Sequence, residues 1–164
     1  MVIWIIGKSG SGKSYLSNYL YKNLKKNYKK VIWIDGDKFR KNFSNDLGYS
    51  LRDRKKNSIR IQKHCKKYDK MNYIVICSIL SIFKDHQKKN RKIFSEYYQV
   101  YVETKTNVLK KRNNKKVYSN SKNVVGRDII FPKPYRSNLI IKNKFNNNFL
   151  KNSKKIEDII HAKI

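Results

Sequence analysis

Acidic residues, cysteines, prolines and long apolar runs are scarce in this chain. Its 164 residues include 11 Asp and Glu, two cysteines and two prolines. Cys65 and Cys77 form no CxxC pair, and the three histidines show no metal-ligand spacing, which excludes a disulfide framework and a structural zinc site. The N-terminal apolar run, VIWII, is too short for a signal peptide or a membrane span. We therefore expect a cytoplasmic protein with reduced thiols and no membrane partner.

The chain is strongly basic. The chain has 40 Lys and Arg and a formal net charge of +29. A strong positive charge ordinarily indicates nucleic acid or another anionic partner. Here the basic residues are spread throughout the chain, which favours a solvated lysine-rich surface over a dedicated nucleic-acid face. A small polyanionic substrate fits the charge equally well, and nucleic acid is the disfavoured partner.

Short apolar runs rich in β-branched and aromatic residues alternate with longer polar segments. This alternation predicts βαβ units and a mostly parallel central sheet buried on both faces. The predicted strands cover residues 2–6, 31–35, 73–79, 99–104 and 138–141.

Helical spacing and capping residues complete the expected fold. Apolar residues recur near helical spacing from Ser14 to Asn27, and Thr106 can cap a helix that runs toward Arg112. Ser153 can cap a closing helix over approximately 153–162. We therefore predict one α/β domain over residues 1–164.

The segment NNKKVYSNSKN, residues 113–123, has almost no apolar content and no period. It predicts a mobile loop within the domain. Such a loop is either a flexible lid over a binding site, with approximate bounds 112–130, or a plain surface loop.

The stretch GKSGSGKS directly follows the first predicted strand and precedes the first predicted helix. It fits the Gly-x4-Gly-Lys-Ser phosphate-loop pattern, in which backbone N–H groups surround phosphate, Lys13 reaches the β and γ oxygens and Ser14 holds Mg²⁺. The sequence contains no NKxD-type guanine motif, which argues against a GTPase. These features predict ATP and Mg²⁺ as cofactors and a P-loop NTPase-type three-layer α/β sandwich. The expected ATP-binding residues of the loop are Gly7, Lys8, Ser9, Gly10, Ser11, Gly12, Lys13 and Ser14.

A second group of polar residues follows the second predicted strand, which ends in Asp35-Gly36-Asp37. Open α/β sheets bind ligands at this carboxyl edge. Asp37 could orient an acceptor hydroxyl, or accept its proton, during in-line attack on the γ-phosphoryl group. The alternative is a turn in which Asp35 or Asp37 only caps the strand end.

The next residues favour an acceptor site over a simple cap. Arg40 and Arg54 offer guanidinium groups for anionic oxygens, Tyr49 offers a ring on which a base can stack, and Asn57 offers an amide. Together these residue types suit a mononucleotide acceptor.

These motifs, in this order, resemble the adenylyl-sulfate kinase family. Its members are small P-loop enzymes that use MgATP to phosphorylate the ribose 3′-hydroxyl of adenosine 5′-phosphosulfate. The resemblance covers roughly residues 1–141 and rests on GKSGSGKS, DGD followed by Arg40, DLGYS, SILSIF and RNNKKVY. Because family members commonly form dimers, the resemblance also implies a homodimer.

The resemblance implies a role for each matching residue. Asp37 and Lys13 are the expected catalytic residues, with Asp37 facing the 3′-hydroxyl. Arg112 and Lys115 are expected over the ATP. The expected substrate-binding residues are Asp35, Asp37, Arg40, Tyr49, Arg54, Asn57, Leu80 and Ser81.

The chain departs from the family pattern around the acceptor. The Phe-Thr-Gly of the family, whose ring closes on adenine, is Val124-Val125-Gly126 here, and its lid Asp-Pro is Asn113-Asn114. These departures favour a smaller base with a different 5′ anhydride, as in the cytidine diphosphoramidate kinases of bacterial capsule biosynthesis, which the chain most resembles. An adenylyl-sulfate kinase with a diverged lid is the alternative. A basic nucleic-acid-binding module with a regulatory phosphate loop is the alternative from another class.

Overall fold

The computed structural model describes residues 1–112, 117–146 and 148–164, apart from the side chains of Val117 and Asn120. Strands and helices alternate along most of the chain. In chain order the elements are β1 (Val2–Ile6), α1 (Lys13–Asn27), β2 (Val31–Asp35), α2 (Gly36–Phe43), α3 (Leu51–Lys70), β3 (Ile74–Ile79), α4 (Lys84–Ile93), β4 (Tyr97–Glu103), α5 (Thr106–Arg112), α6 (Val117–Asn120), β5 (Leu139–Lys142), a 3₁₀ turn (Phe149–Lys151) and α7 (Asn152–His161).

The five described strands form one parallel sheet in the order β2-β3-β1-β4-β5. Strand β1 pairs with β3 on one side and with β4 on the other. The strand order therefore reverses next to β1, and the loop after β1 opens at the point where such sheets bind ligands. The predicted parallel α/β fold is confirmed.

Two hydrophobic cores lie on the two faces of the sheet. Ile3 and Ile5 of β1 pack with α1 and α7, whereas Trp4 and Ile6 pack with α2 and α3. All five residues of β1 are fully buried. A strand buried on both faces has no polar side, which is why VIWII is a continuous apolar run.

The predicted strands are confirmed with small shifts of their ends. Strand β3 begins at Ile74, β4 begins at Tyr97, and β5 covers Leu139–Lys142. Within the predicted loop, Val117–Asn120 forms a single helical turn. Residues 113–116, in the same loop, lie outside the described part of the chain.

Two capping predictions need correction. Helix α7 begins at Asn152, directly after the 3₁₀ turn, so Ser153 is a buried residue inside the helix and not its cap. Helix α5 begins at Thr106, but the Thr106 hydroxyl accepts a hydrogen bond from the Lys8 ammonium group at 2.7 Å. The burial of Ser153 and the contact of Thr106 with Lys8 depend on tertiary structure, which local sequence does not reveal.

The described residues contain neither a membrane-spanning helix nor a cluster of metal-ligating side chains. None of the described helices combines the length and apolarity needed to cross a bilayer. The described His, Cys, Asp and Glu side chains contain no group of three that could hold a metal ion.

Candidate active site

The phosphate loop connects β1 to α1 and is shaped by glycine. A Cβ atom on Gly7 would lie 2.6 Å from the Val102 carbonyl oxygen. Gly12 has a φ of 95°, and a Cβ there would lie 2.6 Å from the Asn143 side-chain nitrogen. Larger residues would therefore distort the loop at both positions. Helix α1 begins directly after Gly12, so its free N–H groups face the loop and favour an anion.

The two lysines of the loop point in different directions. Lys13 Nζ donates to the carbonyl oxygen of Lys8 at 3.1 Å, which places its ammonium group over the loop. Lys8 Nζ donates instead to Thr106 Oγ1 and, at 3.3 Å, to the Thr104 carbonyl oxygen. Burial lowers the pKa of Lys8, although Glu103 opposes the shift. Of the two lysines, Lys13 is therefore the one whose ammonium group lies over the loop.

The side-chain oxygens of Ser14 and Asp35 lie next to each other beside the loop. Ser14 Oγ donates to Asp35 Oδ2 at 2.6 Å, and Ser78 Oγ donates to the same oxygen at 3.0 Å. The other oxygen, Asp35 Oδ1, accepts from the backbone N–H groups of Asp37 and Lys38. Asp35 therefore caps α2, as the alternative prediction for this turn allowed. A hydroxyl beside a carboxylate is a set of hard oxygen ligands that suits Mg²⁺.

One cleft joins the phosphate loop to the acceptor residues. It brings together side chains from four separate segments that the sequence predicts to belong to the site. Asn57 is 6% exposed in this cleft, and its Oδ1 atom has no hydrogen-bond partner among the described residues. We call this the acceptor cleft; it is lined by Lys13, Ser14, Asp35, Gly36, Asp37, Arg40, Tyr49, Arg54, Asn57, Ser78, Ile79 and Leu80.

Two guanidinium groups lie against the ring of Tyr49. The Cζ atoms of Arg40 and Arg54 are 4.9 and 5.3 Å from the ring centroid. Arg40 Nη1 donates to the Gly48 carbonyl oxygen at 2.6 Å, and Arg54 Nε donates to that of Tyr49 at 3.0 Å. Burial, reinforced by Arg40, lowers the pKa of Arg54, although Asp37 opposes the shift. This concentration of positive charge favours an anionic ligand.

Some predicted residues lie elsewhere. Ser81 is buried outside the acceptor cleft, where its carbonyl and hydroxyl oxygens accept from Gln87 Nε2. Lys115 lies outside the described residues. Val124 and Val125 are each 2% exposed and contribute no ring to the acceptor side.

A second cleft, which we call the donor cleft, lies on the other side of the phosphate loop. Its volume is about 470 Å³. The Arg112 guanidinium lies 4.1 Å from the ring centroid of Phe145. Asn143 Nδ2 donates to the Ser11 carbonyl oxygen at 2.9 Å and ties this cleft to the loop. The lining residues are Gly10, Gly12, Tyr15, Arg112, Asn143, Phe145, Asn146, Phe149 and Leu150.

The residues that follow β5 were missed by the sequence analysis. Asn143, Phe145 and Phe149 lie in the polar run KNKFNNNF, which carries no recognisable motif. One signal could have indicated them: they follow the carboxyl end of a parallel strand, at the same sheet edge as the phosphate loop.

Hydrogen bonds connect the segment after α5 both to the phosphate loop and to Arg54 of the acceptor cleft. The Tyr118 hydroxyl donates to the Ser9 carbonyl oxygen at 3.0 Å, and Arg127 Nη1 donates to the Tyr118 carbonyl oxygen at 2.7 Å. Arg54 Nη2 donates to the Asn123 carbonyl oxygen at 2.9 Å. This segment therefore contacts the phosphate loop and the acceptor residues together.

Comparison with known proteins identifies the family. The family model described as adenylylsulphate kinase matches residues 1–142. The chain belongs to the adenylylsulphate kinase family. It is therefore a kinase with the fold of P-loop kinases, and ATP with Mg²⁺ is its cofactor. The resemblance stated from the sequence is confirmed.

Relatives within this family carry two different names. The cytidine diphosphoramidate kinase of Campylobacter jejuni subsp. jejuni is 34% identical over 164 residues, covering 97% of this chain and 94% of that protein. The adenylyl-sulfate kinase of Buchnera aphidicola subsp. Schizaphis graminum is 35% identical over 124 residues. The match covers 74% of this chain and 59% of that protein, so this chain spans less than two thirds of that relative.

A solved structure shows the same fold. The Mycobacterium tuberculosis APS kinase in complex with AMPPNP and APS superimposes with a TM-score of 0.87 and is 22% identical. The superposition covers 98% of this chain and 96% of the other.

Proposed function

We propose that this kinase transfers the γ-phosphoryl group of ATP to the ribose 3′-hydroxyl of a nucleotide 5′-anhydride, with cytidine 5′-diphosphoramidate as the acceptor. The supporting observation is the acceptor cleft. It places Lys13 and Ser14 of the phosphate loop beside Asp37, the paired guanidinium groups and the ring of Tyr49. A donor phosphate and an anionic acceptor would meet there.

On the donor side, we assign charge neutralisation to Lys13 and base binding to the donor cleft, where Arg112 and Phe145 offer a stacked cation and ring. Ser14 and Asp35 would hold Mg²⁺, which neutralises charge on the phosphates when it is bound. Asp35 is thereby assigned to the metal side and not to direct contact with the acceptor. In phosphoryl transfer, such positioning and electrostatic stabilisation provide most of the catalysis.

On the acceptor side, we assign the 3′-hydroxyl to Asp37, whose exposed carboxylate lines the cleft. Arg40 and Arg54 would bind the 5′ anhydride through charge-assisted hydrogen bonds. Asn57 has a buried oxygen without a partner among the described residues, so a donor group on the acceptor would satisfy it. Tyr49 would stack on the base.

Two observations favour cytidine over adenosine. Among the described residues that line the acceptor cleft, Tyr49 alone is aromatic, whereas Val124 and Val125 are buried aliphatic residues where the family pattern has an aromatic residue. A pyrimidine has a smaller stacking surface and depends less on a second ring. In addition, one relative that is matched over 94% of its own length is named cytidine diphosphoramidate kinase. Adenosine 5′-phosphosulfate remains the second candidate because the family model and other relatives carry that name.

We also propose that residues 1–164 form one domain that acts as a homodimer in the cytoplasm, where ATP and nucleotides are available. The segment over approximately 112–130 would act as the lid, because it contacts both the phosphate loop and Arg54. Sedimentation velocity tests the dimer, and a monomer at micromolar concentration would contradict it.

A competition reaction tests the acceptor. Equal concentrations of cytidine 5′-diphosphoramidate and adenosine 5′-phosphosulfate are offered with MgATP, and mass spectrometry identifies which compound gains one phosphoryl group. We expect the cytidine product to exceed the adenosine product by about tenfold or more. An excess of the adenosine product would instead indicate an adenylyl-sulfate kinase. ATP consumption that is independent of both compounds would contradict the proposed function altogether.

A further inference from the structure

A third cleft lies beside β4 and β5, away from both nucleotide clefts. We call it the β4–β5 cleft, and its volume is about 740 Å³, within the usual range for small-molecule sites. Among the described residues, none of its lining residues also lines the acceptor cleft or the donor cleft. The lining residues are Lys8, Tyr101, Glu103, Phe131, Lys133, Pro134, Arg136, Ser137 and Ile140.

Two stacked rings form the wall of this cleft. Tyr101 and Phe131 have centroids 5.9 Å apart and an interplanar angle of 18°. Both side chains are half-buried, so part of each ring stays accessible. The Lys8 ammonium lies 5.9 Å from the Phe131 centroid. A ring platform beside a cation is the arrangement on which proteins stack nucleobases.

Positive charge dominates the same cleft. Lys8, Lys133 and Arg136 contribute three cations, and Glu103 contributes one carboxylate. Lys133 and Arg136 are exposed at the rim, whereas Lys8 is partly buried. Burial lowers the pKa of Lys8, so an anion bound nearby would offset the unfavourable desolvation of its ammonium group.

We propose that the β4–β5 cleft is a second, non-catalytic binding site for a mononucleotide. The base would stack against Phe131 and Tyr101, and the phosphate would bind Lys133 and Arg136. Glu103 would accept a hydrogen bond from a ribose hydroxyl. Because Lys8 belongs to the phosphate loop, and its carbonyl oxygen accepts from Lys13, the ligand would contact this loop from the side opposite ATP.

Equilibrium dialysis with radiolabelled ADP at about 0.15 M salt tests this proposal, since nonspecific binding to surface charge is screened there. We expect two ADP molecules per chain in the unaltered protein and one in Lys133→Ala/Arg136→Ala. The matched control is Lys29→Ala/Lys30→Ala, which removes the same charge from a cleft of about 460 Å³ at the amino edge of the sheet. This control should retain both molecules. Phe131→Leu, which keeps the charge, should weaken the second site about fivefold or more.

Three outcomes would overturn the proposal. The first is one ADP per chain in the unaltered protein. The second is equal loss from both double variants, which would indicate nonspecific attraction to a basic surface. The third is tighter binding of a single-stranded oligonucleotide than of ADP at Lys133 and Arg136, which would make the surface a nucleic-acid site. A chain that binds one ADP and still phosphorylates its acceptor would refute this site and leave the proposed function intact.

Discussion

Lys8 and Lys13 belong to the same loop, yet their ammonium groups have different partners. Lys13 bends over the loop to a carbonyl oxygen, and Lys8 contacts Thr104 and Thr106. The phosphate-loop pattern alone includes both residues and does not say which side each one faces. At the scale of single residues, the structure therefore separates a lysine whose ammonium group lies over the loop from one whose ammonium group faces Thr104, Thr106 and the β4–β5 cleft.

Substitution of these lysines should have unequal effects. Lys13→Ala removes a cation from oxygens whose charge must be neutralised, and we expect kcat/KM to fall by about a hundredfold or more. Lys8→Met should lower kcat/KM by less than about tenfold, because its ammonium group is engaged by Thr104 and Thr106. Steady-state kinetics with the preferred acceptor measure both values, and equal losses would contradict the assignment of Lys13.

Tyr49 offers a test of base stacking with little risk to the fold, because the residue is 58% exposed. Tyr49→Ala should raise KM for the acceptor by about fivefold or more while KM for ATP changes little. Tyr49→Phe keeps the ring and should behave like the unaltered protein. If Tyr49→Ala leaves KM for the acceptor unchanged, the ring does not stack on the base.

At the scale of elements, the strands were predictable and the turns were not. A buried strand such as β1 carries its signal in its own residues, because burial on both faces demands an apolar run. The turn after β5 depends on tertiary contacts instead. Asn143 is held by Ser11, and Phe145 adopts a φ of 58°, which few non-glycine residues adopt. The sequence predicts Ser153 as a cap because the preceding 3₁₀ turn has no distinct sequence signal.

In the candidate site, too, some residues are predictable from the sequence and others depend on tertiary contacts. The phosphate loop and the acceptor residues have recognisable spacing, and the structure gathers most of them in one cleft. Ser81 differs because its neighbour Gln87, six positions away, binds both of its oxygens. The spacing of residues in the sequence does not determine the orientation of such a side chain.

The turn after β5 gives a prediction at this scale. Phe145→Ala removes the ring on which Arg112 stacks, and we expect KM for ATP to rise about threefold to tenfold with little change in KM for the acceptor. Phe43→Ala, at an exposed aromatic residue that does not line the donor cleft, is the control. Equal effects of the two substitutions would show that the donor cleft does not bind the ATP base.

At the scale of the whole molecule, one of the few acidic residues, Asp69, contributes to the stability of the fold. Asp69 is buried, and hydrogen bonds from the hydroxyl and amide of Ser95 and from Lys66 reach its carboxylate. Burial alone would raise the pKa of Asp69, but these hydrogen bonds outweigh it and lower the pKa from 3.8 to about 2. The ionised form therefore stabilises the fold.

The pH dependence of stability follows from this shift. The stabilisation is fully present above pH 3.8 and is lost as the pH falls toward 2. We expect Asp69→Asn to lower the free energy of unfolding by about 2 kcal/mol at pH 7, with the difference shrinking below pH 4. The control is Asp158→Asn in an exposed ion pair, which should cost under about 1 kcal/mol. Urea unfolding across this pH range measures both, and a difference that does not shrink below pH 4 would contradict the role of Asp69.

The parallel sheet explains why one small chain can hold a donor and an acceptor together. The reversal of strand order at β1 places the phosphate loop between the donor cleft and the acceptor cleft. The charge of +29 extends well beyond these clefts, so it supports the approach of anionic substrates without specifying one. The identity of the acceptor depends on local contacts in the acceptor cleft.

Single-turnover phosphoryl transfer by Asp37→Asn tests the central claim most directly. Bound ATP and the preferred acceptor are mixed, and the rate of transfer is compared with the affinity for ATP in the same variant. We expect transfer to slow by about a hundredfold or more with ATP affinity nearly unchanged, because the role proposed for Asp37 is toward the acceptor hydroxyl and not toward the donor. Equal loss of transfer and of ATP affinity, or transfer at the unaltered rate, would contradict the account.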